Sequence, residues 1–228
     1  MDEIALVDGA ASRALPHVYP PPTASPITDF DRHCDGLVLL ACAQAGGILS
    51  LSGNATHPRD ERWRAVSKTY IDAATGVNFA GVWSSSGTGR GWAVGNKNTI
   101  VRTSRCADAQ ARWVGVQDGV ADETHYNAID GATTHASISV AAGSNVRTTK
   151  HVDHVWVVGS GGVVLHFNTS HWIQQVSGTT VALRGVTVLS PTLAFACGDG
   201  GVVLRFDGSE WSAVKTGAKP TTTFQAGA

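Results

Sequence analysis

The densest group of chemically capable side chains lies in KHVDHVWVVG, residues 150–159, where His151, Asp153 and His154 bring two imidazoles and a carboxylate close together. These are metal-ligand types. Alternation along a strand, however, sends His151 and Asp153 to one face and His154 to the other. With no further ligands in a matching motif, this spacing does not by itself build a metal site, and a solvated loop edge is the better reading. His125 and His135 flank the segment 126–135. Histidine is the commonest acid–base side chain, but no GxSxG-like nucleophile motif accompanies either, so both read as loop residues. The pairs Gly161-Gly162 and Gly200-Gly201 precede strand-like sequence rather than helices, which makes them turns and not phosphate cradles. The expectation is a non-enzymatic chain, with no catalytic residue, cofactor or metal centre.

The elements that carry these residues are written several times over. GWAVGNKNTIVRT (91–103), VWVVGSGGVVLHF (155–167) and AFACGDGGVVLRF (194–206) each run from an apolar stretch through a polar or glycine turn into a second apolar stretch. LLACAQ followed by ILSL is the same pattern near the start. Apolar runs joined by such turns are hairpins. The first strands end at Gln44, Gly95, Gly159 and Gly198, and a tryptophan follows each hairpin: Trp63, Trp113, Trp172 and Trp211. Ahead of each hairpin stands one more strand candidate: IALVDGAASR (4–13), NFAGVWSS (78–85), YNAIDGATTH (126–135) and ALRGVTVL (182–189).

Four strands per unit and four units result, over 4–68, 77–118, 126–177 and 182–216. Repeated four-stranded units with an aromatic at a fixed place are the signature of a β-propeller. The fold expected is all-β: one domain over 1–228, with about four four-stranded blades, either closed on itself or part of a larger ring. A β-sandwich also uses short strands, but it has no reason to repeat a four-strand unit with a matching tryptophan. Trp83, Trp92 and Trp156 recur at strand positions and read as blade core rather than a sugar-binding stripe. The tail PTTTFQAGA (220–228) resembles the opening of a further unit, so it either closes the ring or begins the next blade.

Composition narrows the partners. Charged residues make up 15% of the chain and the net charge is -1, which leaves no electrostatic footprint for nucleic acid or an anionic membrane. The N-terminus MDEIALVDGA lacks the basic and apolar regions of a secretory signal, and the apolar run 36–51 is broken and shorter than a transmembrane span. Cys34, Cys42, Cys106 and Cys197 show no metal spacing. Cys42 and Cys197 read as buried thiols, while the disulfide state stays open. Asn54 and Asn168 open glycosylation triplets in turns, relevant only in a secretory path.

GWAVGNKNTIVRT, with Arg112-Trp113 nine residues on, resembles the repeat of the photosystem II assembly/stability-factor propellers, within the broader Asp-box (BNR, sialidase-like and sortilin-like) group. The likeness covers most of 77–216 and more weakly 4–68. Asp207-Gly208-Ser209 before Trp211 approaches an Asp box one residue short, and Asn168-Thr169-Ser170 before Trp172 is a degenerate copy. The resemblance implies a protein-binding scaffold that helps assemble or stabilise a multisubunit complex, in an organelle by analogy. The inserts 14–35 and 132–153 would serve as its recognition loops. A glycan-binding or sialidase-like propeller is the alternative. Tyr19, Tyr70 and Tyr126 match no sialidase motif, so no catalytic residue carries over.

Overall fold

The computed structural model describes residues 27–34, 38–43, 47–54, 57–65, 76–106, 111–120, 123–139, 147–168, 170–217 and 222–224. They form four antiparallel sheets of four strands, each a simple meander. The first holds β1 (Ile27–Cys34), β2 (Val38–Ala43), β3 (Gly47–Asn54) and β4 (His57–Ala65). The second holds β5 (Phe79–Ser84), β6 (Gly91–Gly95), β7 (Thr99–Thr103) and β8 (Val114–Gly115). The third holds β9 (Tyr126–Ser139), β10 (Arg147–Gly159), β11 (Val164–Asn168) and β12 (Trp172–Gln175). The fourth holds β13 (Leu183–Ser190), β14 (Leu193–Gly198), β15 (Val203–Phe206) and β16 (Trp211–Ala213). The leading strands pack on one another in chain order, β1 on β5, β5 on β9 and β9 on β13. Sheets stacked through successive leading strands are propeller blades.

A buried cluster fills each junction. Cys42 and Ile48 of the first sheet meet Phe79, Val82, Ala93, Val101 and Trp113 of the second. Trp83, Trp92, Val94 and Ile100 of the second meet Tyr126, Ile129, Val155, Val157, Leu165, Phe167 and Trp172 of the third. Trp156, Val158 and Val164 of the third meet Leu183, Val186, Ala196, Leu204, Phe206 and Trp211 of the fourth. Strand alternation therefore gives the second and third blades two apolar faces each, one for the preceding blade and one for the next.

The glycines that end β6, β10 and β14 are required by close approach. An added Cβ would lie 2.2 Å from the Asn78 carbonyl oxygen at Gly95, 2.4 Å from that of His125 at Gly159, and 2.2 Å from that of Ala182 at Gly198. Gly159 and Gly198 are themselves extended, so positive φ is not the reason there. It is the reason in the turn that follows. Gly161 and Gly162 have φ of 66° and 71°, and in the second blade Lys97 and Asn98 adopt 56° and 53°. Asparagine tolerates this region, and Asn98 is held by its N–H on the Thr124 carbonyl at 2.9 Å and its Nδ2 on the Val120 carbonyl at 3.2 Å.

A leading strand is also a sheet edge, whose outward N–H groups need acceptors. Carboxylates of the preceding blade supply them. Val82 N–H donates to Asp29 Oδ2 at 3.0 Å, and Val188 N–H to Asp130 Oδ2 at 2.6 Å. Asp31 accepts from both the N–H and the hydroxyl of Ser84.

Two expectations change. The leading strand of the first blade is β1, Ile27–Cys34, in place of the segment 4–13. Segment 4–13 lies outside the described residues, as does most of the insert 14–35. The insert 132–153 is not a free loop: β9 and β10 pair from Tyr126–Gly159 out to Ser139–Arg147, lengthening the third blade's hairpin into an arm. Cys42 is a buried free thiol, Cys197 a half-buried one, and Cys106 is disulfide-bonded.

Candidate functional site

The arm is where this chain departs from its own repeat. Leading and second strands elsewhere run five to eight residues, whereas β9 has 14 and β10 has 13. Alternating Thr, His, Ala and Val residues suit a two-stranded ribbon. An isolated ribbon is marginal in water, so its foot needs an anchor.

That anchor is Asp153, fully buried on β10. Its Oδ1 accepts from Ser85 Oγ at 2.6 Å and from Thr133 Oγ1 at 2.9 Å. Its Oδ2 accepts from Thr88 Oγ1 at 2.8 Å and from Arg90 Nη1 at 3.2 Å. Ser85, Thr88 and Arg90 belong to the loop between β5 and β6, so one carboxylate fastens the arm to the neighbouring blade. Four donors on two oxygens meet the desolvation cost of a buried charge.

Above the anchor His135 and His151 face each other. They pair in register, with Nδ1 to Nδ1 at 2.7 Å and perpendicular rings. In this hydrogen bond one ring nitrogen donates and the other accepts. Gly87 of the same β5–β6 loop backs onto His151: a Cβ there would lie 2.1 Å from Nδ1. Beyond the pair Thr148, Thr149 and Lys150 are exposed.

His154 turns the other way, toward the fourth blade. It stacks with Trp156 and His166, and the Trp156 and His166 rings are 4.0 Å apart and nearly parallel. Burial, with His154 alongside, pushes the His166 imidazole down to about 4, and burial lowers His154 as well against the opposing pull of Asp153. His166 Nε2, His154 Nδ1 and Asn168 Oδ1 are buried with no hydrogen-bond partner among the described residues.

The three clustered residues of metal-ligand type point into different surroundings: His151 at His135, Asp153 at hydroxyls and a guanidinium, His154 at an indole. Among the described residues no group of three His, Cys, Asp or Glu is placed to share a metal ion. His125 lies at the entry to β9, where its N–H donates to Ser160 Oγ at 3.0 Å. Asn168 is the last residue of β11, with its amide oxygen buried rather than displayed in a turn. Asn54 ends β3. Trp113, Trp172 and Trp211 are buried, and Trp211 Nε1 donates to Gln175 Oε1 of the preceding blade at 2.7 Å. Trp63 pairs in register with Leu51, as Trp172 does with Phe167 and Trp211 with Phe206.

Sequence reasoning passed over Ser85, Thr88, Arg90 and Thr133. The one signal for them was the SSSGTGRG loop, rich in hydroxyls and glycine, at a strand junction. An open groove of about 730 Å³ borders the third blade at Gly161, Gln174, Val176, Ser177 and Thr179. Its lining carries amides and hydroxyls. No helix among the described residues is long and apolar enough to cross a membrane.

Four-stranded meanders joined through their leading strands, with an arm raised from one of them, define a β-propeller module. The chain is similar to the solved structure described as YCF48 bound to D1 peptide, at 12% identity and a TM-score of 0.36, covering 85% of this chain and 83% of that one. It is also similar to the WD40 β-propeller domain of Doa1, at 10% identity and a TM-score of 0.42, covering 89% of this chain and 69% of that one. No protein-family model and no curated protein matches the sequence.

Proposed function

We propose that this chain is a non-enzymatic propeller scaffold that binds a protein partner through the 132–153 arm, as an accessory or assembly subunit of a larger complex. The observation that carries this reading is the anchoring of the arm by Asp153. A ribbon longer than its blade requires, fixed to the preceding blade at its foot and exposed at Thr148, Thr149 and Lys150, holds its strands in one orientation before any partner arrives. Pre-ordering of this kind lowers the entropic cost of association. A ribbon can also pair its strands with an extended segment of another protein. The polar neighbours of Asp153 serve the arm's position.

A photo-crosslinking residue at Thr149 tests the proposal in the native host. Crosslinks from that position to one defined polypeptide, lost in a chain lacking residues 136–150 that keeps its thermal stability, are expected. Unchanged association of the shortened chain with its complex would overturn the reading.

A further inference from the structure

The fourth blade presents a face built to be covered by another blade. At each earlier junction the outgoing face is made by the same register positions. On the second strand these are Trp92 and Val94, then Trp156 and Val158. On the third strand they are Ile100, then Val164. All six are essentially inaccessible, at 0–1% exposure. The cross-strand partner of the aromatic is a cation or imidazole: Arg102 opposite Trp92, with its guanidinium 5.2 Å from the ring, and His166 opposite Trp156. In the fourth blade these positions are Phe195, Cys197 and Val203, with Arg205 opposite Phe195. The residue types are kept, yet Phe195, Cys197 and Val203 are only half-buried and Arg205 is exposed. Leu189, at the register break near the end of β13, is 63% exposed. Among the described residues, buried clusters join the first blade to the second, the second to the third and the third to the fourth, and none joins the fourth to the first.

The chain also follows the route to a next blade. Gly201 N–H donates to the Thr222 carbonyl, as Asn98 N–H donates to Thr124 on the way from the second blade to the third. Phe224 N–H donates to the Gly198 carbonyl at 3.1 Å. These bonds occupy the inner edge and leave Phe195 and Val203 half-open.

We infer that this face is a docking surface for a second copy of the chain, received by that copy's first blade. By residue type and backbone register, the first blade repeats cross-strand pairs of the later blades. Ala41 pairs with Leu49 as Ala93 does with Val101, Val157 with Leu165 and Ala196 with Leu204. Leu51 pairs with Trp63 as Phe167 does with Trp172 and Phe206 with Trp211. A head-to-tail contact of this kind extends an interface the chain already builds three times, and two copies joined at both ends form a closed ring. The inference is separate from the arm and stands or falls without it.

Light scattering on the purified chain tests it, with peptide mapping of maleimide-modified Cys197 alongside. A mass about twice 23.7 kDa is expected, with Cys197 protected in the assembly and modified on dilution. Phe195→Asp with Val203→Asp should give a monomer whose Cys197 reacts at any concentration, with circular dichroism verifying its fold. The milder Cys197→Arg should do the same if the double variant unfolds. A wild-type monomer at every concentration would refute the inference, whether Cys197 is reactive or shielded by the chain's own first blade. So would an oligomer that persists in the folded variants, and so would a mass that corresponds to some other polypeptide bound in place of a second copy.

Discussion

Ser85 Oγ lies 2.6 Å from Asp153 Oδ1, and this bond couples the loop of one blade to the arm of the next across 68 positions of sequence. Ser85 and Asp153 are each fully buried, and neither reaches water. The pair therefore fixes the arm's foot by a charge-assisted bond inside the protein rather than by a surface contact.

Replacing that carboxylate removes the acceptor shared by four donors. Asp153→Ala should lower unfolding free energy by about 3–5 kcal/mol, since the Arg90 guanidinium and three hydroxyls lose their partner. Asp153→Asn, which keeps the shape, should cost less. In both, amide exchange across Thr148–Val152 should speed up well before that of the fourth blade. Equal protection in arm and blade would mean the anchor does not position the arm. Denaturant melts and hydrogen exchange measure the two effects.

Two glycines separate a flexible neighbour from a rigid one. Gly95→Ala would put a methyl 2.2 Å from a backbone oxygen of the adjoining strand, and the backbone must move. A loss of about 1–3 kcal/mol follows, as for overpacking in a core. Gly87→Ala meets only the His151 ring. That ring can swing away, so stability should fall by less while the His135–His151 hydrogen bond is broken. Imidazole nitrogen chemical shifts report the second outcome, and a melt the first.

His166 makes stability fall with acid. Its folded value, about 4, lies below that of the unfolded chain, near 6.5, so between these limits the unfolded state binds the extra proton. Stability is therefore complete above about pH 6.5 and declines as pH drops toward 4. The loss is about 1–2 kcal/mol once partial exposure of the ring is allowed for. His166→Phe, which keeps the stack on Trp156, should flatten the stability profile through this window. An unchanged slope would assign the acid sensitivity to other groups, His154 first among them.

How much was legible differs between fold and site. The blades were readable because each must bury two faces against neighbours of the same kind, and that demand is written locally: alternation in TIVRT, VVLHF and VVLRF, a small residue at each strand end, a tryptophan after each hairpin. The sequence already placed a small residue at strand ends 159 and 198, and the structure adds the reason: the carbonyl of the residue just before the adjoining strand, His125 or Ala182, excludes a side chain there. The leading strand of the first blade was misplaced for a related reason. Segment 4–13 resembles 126–135 more than 27–34 does, but ITDFDRHC carries the carboxylates that accept the edge N–H groups of β5.

The sequence alone determined the repeat, its hairpins and the residues each blade turns toward its neighbours, because strand alternation is a property of the backbone and needs no partner to be read. Only the tertiary structure decided what Asp153 does. Strand alternation already set His154 apart from His151 and Asp153, but it named no donor for the carboxylate. Packing brought in Ser85, Thr88 and Arg90 from the preceding blade, since a buried carboxylate takes its donors from whatever the fold places within about 3 Å. Whether an apolar face is covered is equally a tertiary fact: the same pattern is sealed around Trp92 and Trp156 and left half-open around Phe195.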